Sequence, residues 1–305
     1  MGVLFDLSEC CTEVPVLVVK NTEDRIKEIR AEIKERLHTS QLSAAQASQL
    51  RGRLVFANSQ TFGRMGAMAF HYLGRRAHMI GASKKMDVEL RWALEWWHTH
   101  MGTAKERRIQ ITNVRRPLYI FTDGSCEPDA QKTCGITAGY GAVMYDPEDN
   151  AYEFFQGEIG TPLKTILTLN GQKKQIVGQA EILPCLAARH IWTDRMKGRP
   201  VLCFIDNDAA RYALIKGSSP TPDSAWLSAM YWEKETAVGS YSWFERVPSP
   251  SNIADAPSRG EPPATLVGTN GFELKPKEVF LPVGFERLVC LRFDARANRH
   301  RYGDS

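Results

Sequence analysis

Four acidic residues in this chain of 305 stand where their chemistry needs a reason. Asp123 follows the apolar run Leu118-Tyr119-Ile120-Phe121, and Asp206 follows Val201-Leu202-Cys203-Phe204-Ile205. Glu181 falls in the first turn of a helical stretch from Gln179 to Arg195, and Asp255 opens a short helix at Asn252-Ile253-Ala254-Asp255. A single Asp after a strand ordinarily serves a turn or caps a helix. Acids at the ends of separate buried strands are costly when they face inward unpaired. Gathered at one edge of a sheet, four of them make a hard-oxygen pocket suited to Mg2+ or Mn2+.

The elements that must position these acids read as a mixed α/β domain. Residues 118–121 form a strand that stops at Thr122-Asp123-Gly124-Ser125. Residues 138–146 and 151–157 are two further strands about the turn Pro147-Glu148-Asp149-Asn150. A polar, Lys-containing insert spans 160–177, and the helix carrying Glu181 has the stripe Ile182, Leu183, Leu186, Ile191, Trp192. A buried-type strand at 201–205 follows, then helices at 208–216 and 223–236, a strand at 241–247 and the last short helix. Asp208 is best placed to cap the 208–216 helix. An antiparallel meander thus feeds a crossover.

The first third has a different texture. A strand at 14–20 precedes helices at 22–38, 44–58, 62–79 and 87–100. Core candidates are Ile26, Ile29, Ile33 and Leu37, then Leu50, Leu54 and Phe56, then Leu90, Leu94, Trp96 and Trp97. The net charge of +4 conceals an asymmetry. Residues 1–116 hold 19 Lys and Arg against 12 Asp and Glu, a net +7, and 117–305 hold 20 against 23, a net −3. Within 51–116 the balance is 13 against 4, or +9, which is more than helix-face solvation needs and fits a polyanionic backbone. Arg51, Arg53, Arg75 and Arg76 are the candidate contacts.

Composition excludes other classes. The chain is 43% apolar and 24% charged, which fits neither a disordered nor a coiled-coil protein. No run approaches a membrane span, and the start MGVLFDLSECC is not a secretory signal. Seven Cys, including Cys134, form neither a CxxC pair nor a zinc spacing, and fit reduced thiols in an intracellular protein, in cytoplasm or nucleus.

Residues 117–260 resemble a type 1 ribonuclease H domain. The likeness rests on Tyr119-Ile120-Phe121-Thr122-Asp123-Gly124-Ser125, Gly139-Tyr140-Gly141-Ala142-Val143, Gln179-Ala180-Glu181 and Phe204-Ile205-Asp206-Asn207. It closes with the run from Val247 through Asn252-Ile253-Ala254-Asp255-Ala256-Pro257-Ser258-Arg259. That ending is similar to the ribonuclease H region of retroelement reverse transcriptases, DIRS-type elements included. Residues 1–100 resemble the stretch after the polymerase palm in such proteins, through Leu4-Phe5-Asp6-Leu7-Ser8, Asn21-Thr22 and Leu50-Arg51-Gly52-Arg53-Leu54.

The resemblance implies a ribonuclease H-like fold, a mixed five-stranded sheet with flanking helices, over 117–260. A basic thumb-and-connection region would precede it over 1–112, and a tail would follow over 261–305. It implies hydrolysis of the RNA strand of an RNA–DNA hybrid, with Asp123, Glu181, Asp206 and Asp255 holding two Mg2+ ions, or Mn2+ in their place. Gly124, Ser125, Gln179 and Asn207 would read the hybrid. No Tyr-x-Asp-Asp polymerase motif is present, so the chain is expected to be the downstream part of a longer element whose polymerase domain lies elsewhere. The pattern departs from the family at one point. No His precedes the last Asp, where Arg246 stands instead, and His190 lies in the helix after Glu181. The competing expectation is a catalytically silent ribonuclease H-like module that only binds nucleic acid. In the tail, Leu281-Pro282-Val283 and Leu288-Val289-Cys290-Leu291 read as strands before a basic end of Arg292, Arg296, Arg299 and Arg301.

Overall fold

The computed structural model describes residues 2–61, 64–81, 83–103, 106–112, 115–131, 135–169 and 175–302, the side chains of 59–61 and 294–302 excepted. Cys134, positions 170–174 of the polar insert, and the side chains of Arg296, Arg299 and Arg301 lie outside the described residues. The chain divides into two compact units, Met1–Asn113 with Arg299–Ser305, and Val114–Asn298.

The first unit runs β1 (Val3–Asp6), β2 (Val16–Asn21), α1 (Glu23–Thr39), α2 (Ala44–Thr61), α3 (Ala67–His78), α4 (Val88–Thr103) and β3 (Arg107–Gln110). Local chemistry sets the helix starts. Glu23 and Asp24 lie on the positive end of α1. Ser43 and Gln46 form a reciprocal capping box at α2, and Asp87 Oδ1 accepts from Leu90 N at 2.7 Å before α4. Ile29, Ile33, Leu50, Leu54, Leu73, Leu94 and Trp97 make one apolar core. Phe56 is instead exposed, with Arg25 over its ring at 4.5 Å. The single expected strand is one of three, in an antiparallel sheet ordered β1-β2-β3. Its partners escape a sequence reading because each is only four residues long, and Arg107-Arg108-Ile109-Gln110 has no apolar alternation.

The second unit contains β4 (Leu118–Pro128), β5 (Ile136–Asp146), β6 (Ala151–Glu158), α5 (Thr161–Leu167), α6 (Val177–Ile191) and α7 (Thr193–Met196). It continues through β7 (Pro200–Ile205), α8 (Asp208–Lys216), α9 (Pro222–Val238), β8 (Tyr241–Arg246) and α10 (Asp255–Ser258). After these come β9 (Leu266–Val267), β10 (Glu273–Leu274), β11 (Lys277–Glu278) and α11 (Phe285–Tyr302). The sheet order is β11-β6-β5-β4-β7-β8. β4, β5 and β6 form an antiparallel meander, and β7 and β8 continue parallel to β4. The expected mixed sheet with flanking helices is present, and β11 adds a sixth strand along β6.

Two expectations about local structure need correction. β4 does not stop at Thr122; its ladder with β5 runs unbroken from Tyr119↔Tyr145 to Pro128↔Ile136. The turn-like Thr-Asp-Gly-Ser sequence is overridden by pairing, so Asp123 is a mid-strand residue. Nor does either tail run form a strand. Residues 281–283 are irregular chain that a proline keeps out of a ladder. Over 288–291, α11 places Phe285, Val289 and Phe293, spaced by four, in the core with Leu163, Leu186 and Met144. Among the described residues no helix is long and apolar enough to cross a membrane.

Candidate metal centre

Parallel pairing of β4 with β7 puts Thr122 opposite Ile205. The next residues, Asp123 in the middle of β4 and Asp206 just past the end of β7, therefore lie side by side. Glu181 comes from the second turn of α6, which packs across β4. Gly124 permits that approach: a Cβ there would lie 2.3 Å from the Ala180 carbonyl carbon and 2.5 Å from Glu181 N. The result is a trio. One carboxylate oxygen from each of Asp123, Glu181 and Asp206 lies within 4.8 Å of the others.

Asp123 and Glu181 are each 5% exposed. Burial, then the charges of Asp123 and Asp206, push the Glu181 carboxyl up from 4.5 to about 9, against the opposing pull of the Gly124 N–H. Burial also raises Asp123, helped by the charges of Asp206 and Asp255. Glu181 Oε2 and Asp206 Oδ1 are buried with no hydrogen-bond partner. Buried acceptors are almost always satisfied, so two orphans facing one cluster fit a cation with oxygen ligands.

Asp255 is not part of the trio. It is half exposed, and its Oδ1 lies 3.2 Å from Arg259 Nε. Its element is nonetheless fastened beside the trio. Asn252 Nδ2 donates to the Thr122 carbonyl at 3.1 Å and to Asp123 Oδ1 at 3.3 Å, while its Oδ1 accepts from Ala254 N. Ser125 Oγ donates to the Ser258 carbonyl at 2.7 Å. α10 rests on two glycines of β5: a Cβ at Gly139 would lie 2.3 Å from Ser258 O, and one at Gly141 2.5 Å from Pro257 C. Asn252 is the site residue that sequence reasoning passed over, although it stands three before Asp255 in the quoted motif. Its place in that motif was its only signal; its burial comes from the fold.

The residues expected to touch nucleic acid are placed variously. Gly124 is closed against α6, Ser125 is tied to Ser258, and Gln179 is buried. Asn207 caps α8, its Oδ1 accepting from Ala210 N at 3.0 Å. That makes Asn207, not Asp208, the cap; Asp208 pairs with Arg211 at 2.8 Å and with Arg246 at 3.8 Å. Arg51 is exposed on α2. Arg53 pairs with Glu32 at 2.6 Å and Glu28 at 3.1 Å, and Arg75 with Asp87 at 2.9 Å and Glu89 at 3.5 Å. Arg76 is inside the first unit, donating to the carbonyls of Leu42, Ser83 and Lys85, so its guanidinium is not turned toward a phosphate backbone. His190 is half buried against the Phe285 ring.

No family model and no curated protein matches the chain. Among solved structures, the N-terminal RNase H domain of a Mycobacterium tuberculosis protein is similar over 47% of this chain and 91% of its own, at 16% identity and a TM-score of 0.36. RNase H1 from Halobacterium salinarum matches 47% of this chain and 96% of its own, at 18% identity and a TM-score of 0.34. A foamy viral protease-reverse transcriptase, solved in complex with an RNA/DNA hybrid, matches 56% of this chain and 26% of its own, at 12% identity and a TM-score of 0.35.

Proposed function

We propose that the second unit is a divalent-metal-dependent phosphodiesterase of ribonuclease H type, hydrolysing the RNA strand of RNA–DNA hybrids, and that the basic first unit grips the nucleic acid. One observation carries the reading: three carboxylates, from β4, the end of β7 and α6, converge within 4.8 Å, with two buried oxygens that have no hydrogen-bond partner. Asp123, Glu181 and Asp206 would hold one Mg2+ or Mn2+ ion, and Asp255 would hold a second together with Asp123. When bound, the ions supply an activated water and offset the charge that develops on the leaving 3′ oxygen.

The chain's own residues arrange the rest. Gly124 lets α6 close on β4 and so delivers Glu181. Asn252 donates to Asp123 Oδ1 and so restrains the turn of that carboxylate. Recognition of the RNA 2′-OH is assigned to Ser125, whose hydroxyl oxygen keeps its acceptor capacity, and to the surroundings of Gly124, Gln179 and Asn207. The Asn-x-Ala-Asp-x-Pro-Ser-Arg run supports a retroelement reverse-transcriptase setting, in which a polymerase domain is supplied by another segment.

The test incubates the purified chain with labelled RNA–DNA hybrid, duplex RNA and duplex DNA in Mg2+, Mn2+ or chelator. Metal-dependent loss of RNA from the hybrid alone is expected. Equal cutting of all three would sink the specificity. Hybrid binding without cutting in either metal would favour the catalytically silent module.

A further inference from the structure

The fourth acid has a partner that the other three lack. Arg259 Nε lies 3.2 Å from Asp255 Oδ1, four residues back across α10. Its Nη1 lies 3.0 Å from Glu127 Oε1 on β4. The guanidinium thus spans from the helix to the central strand, on the rim of the pocket, and its charge is also felt at Asp123. Among the described residues, no other cation stands within ion-pair distance of the four acids. The trio meanwhile leaves Glu181 Oε2 and Asp206 Oδ1 bare. One half of the acidic cluster therefore carries its own countercharge, and the other half carries none.

We propose that Arg259 is a built-in countercharge for Asp255, which a second metal ion must displace, and that it thereby sets the order and affinity of metal loading. This rests on the metal reading above. The trio, with orphan oxygens and no cation, binds an ion first and more tightly. The Asp255 position binds second and more weakly, for two reasons. Asp255 must give up a guanidinium before it can ligate, and the incoming dication meets a positive charge a few ångströms away. Glu127 moderates both effects, because it offers Arg259 an alternative acceptor once Asp255 turns away.

Arg259 is a positioning residue in this scheme, and the geometry makes its effects directional. Replacing it with a neutral side chain removes the competitor and the repulsion together. Replacing Glu127 removes the alternative acceptor and leaves Arg259 more firmly on Asp255. A merely structural role for Arg259, as a brace between α10 and β4, would have the opposite sign. Breaking the brace from either end would loosen α10 and weaken metal binding in both variants.

The experiment is calorimetric titration of the metal-free full chain with Mn2+ alone, without nucleic acid, compared with Arg259→Gln, Glu127→Gln, Asp255→Asn and Glu181→Gln. Two binding events are expected in the wild type. Arg259→Gln should tighten the second about fivefold and leave the first unchanged. Glu127→Gln should weaken the second, by about twofold. Asp255→Asn should remove the second and keep the first, whereas Glu181→Gln should remove the first. A second event unchanged or weakened in Arg259→Gln overturns the role of Arg259 and leaves the metal centre standing. Absence of any Mn2+ binding by the wild type overturns both. Thermal unfolding of each metal-free variant identifies a folding defect, and Arg259→Lys, which keeps the charge, should restore a weak second event.

Discussion

Arg76 in the first unit and Glu181 in the second are both nearly sealed from water, at 7% and 5% exposure, but their surroundings differ in kind. Arg76 gives its donors to three backbone carbonyls and closes the loop after α3. Glu181 has an orphan oxygen and two other acids for neighbours. Burial as such does not separate the two, because the second unit also buries Arg189 among Tyr231, Ser240, Ser242 and Glu235, with the carboxylate 2.5 Å away. Lack of a partner does. A sealed charge whose donors or acceptors are all used holds a fold together. An ionisable group left unmatched must hold its proton or lie strained, and selection for stability alone would remove it.

The largest expected effect lies on the unmatched side. Asp123→Asn and Asp206→Asn should each lower hybrid cleavage by more than about a hundredfold, since each removes a proposed ligand, not merely a supporting residue. Hybrid affinity should stay within about threefold in a gel-shift or anisotropy assay. Wild-type cleavage in either variant would mean that the trio is not the reacting centre.

On the matched side, Arg76→Met should destabilise the first unit by about 2–4 kcal/mol, because it strips three buried or half-buried carbonyls of their donor. Glu181→Gln should act in the reverse sense and raise metal-free stability by about 1–3 kcal/mol at pH 7. If Arg76→Met were neutral, or Glu181→Gln destabilising, the contrast would collapse. Denaturant unfolding in chelator measures both.

The same comparison has a pH signature. In the folded protein Glu181 releases its proton near pH 9, while in the unfolded chain it does so near 4.5. Between those values the folded state holds the extra proton, so the unfolding free energy falls as pH rises through that window. Metal-free wild type should lose thermal stability from pH 5 to 9, and Glu181→Gln should lose less. Added Mg2+ should raise the midpoint more at pH 8 than at pH 5. A Mg2+ response that is equal at both values would remove the carboxylates from the account. The smallest effect concerns the exposed pairs: Arg53→Gln and Arg75→Gln should each change stability by about 0.5 kcal/mol or less. Any loss of hybrid affinity in them would then report a true contact.

Much of the second unit could be read from residues in order. Apolar runs of four and five ending at acids, a helix between them and a meander before them are strong local patterns, and β5, β6, α8 and α9 lie close to their expected bounds. The close approaches could not be read. Gly139 and Gly141 looked like ordinary strand glycines until Pro257 and Ser258 arrived from more than a hundred residues away. Asp123 looked like a turn residue because Asp-Gly-Ser is turn chemistry, and only the ladder with Gly141 on the next strand overrides it. In the first unit the charge excess was legible as a sum, but which arginines carry it outward was not. Arg53, Arg75 and Arg76 differ from Arg51 only in the groups that folding brings to them. The C-terminal helix escaped because 288–291 is a short apolar run, and such runs do not distinguish strand from helix.

The two-residue strand β11 and the helix α11 bear on how this protein can be cut down for study. A fragment ending at Gly260 would keep every proposed ligand. It would also bare the backbone edge of β6 and leave an apolar trench where Phe285, Val289 and Phe293 had been. An open edge beside exposed hydrophobic surface invites sheet-to-sheet association. Such a fragment would fail by clumping in solution while its acidic cluster remained intact, and a soluble minimal version of the second unit would have to extend through α11.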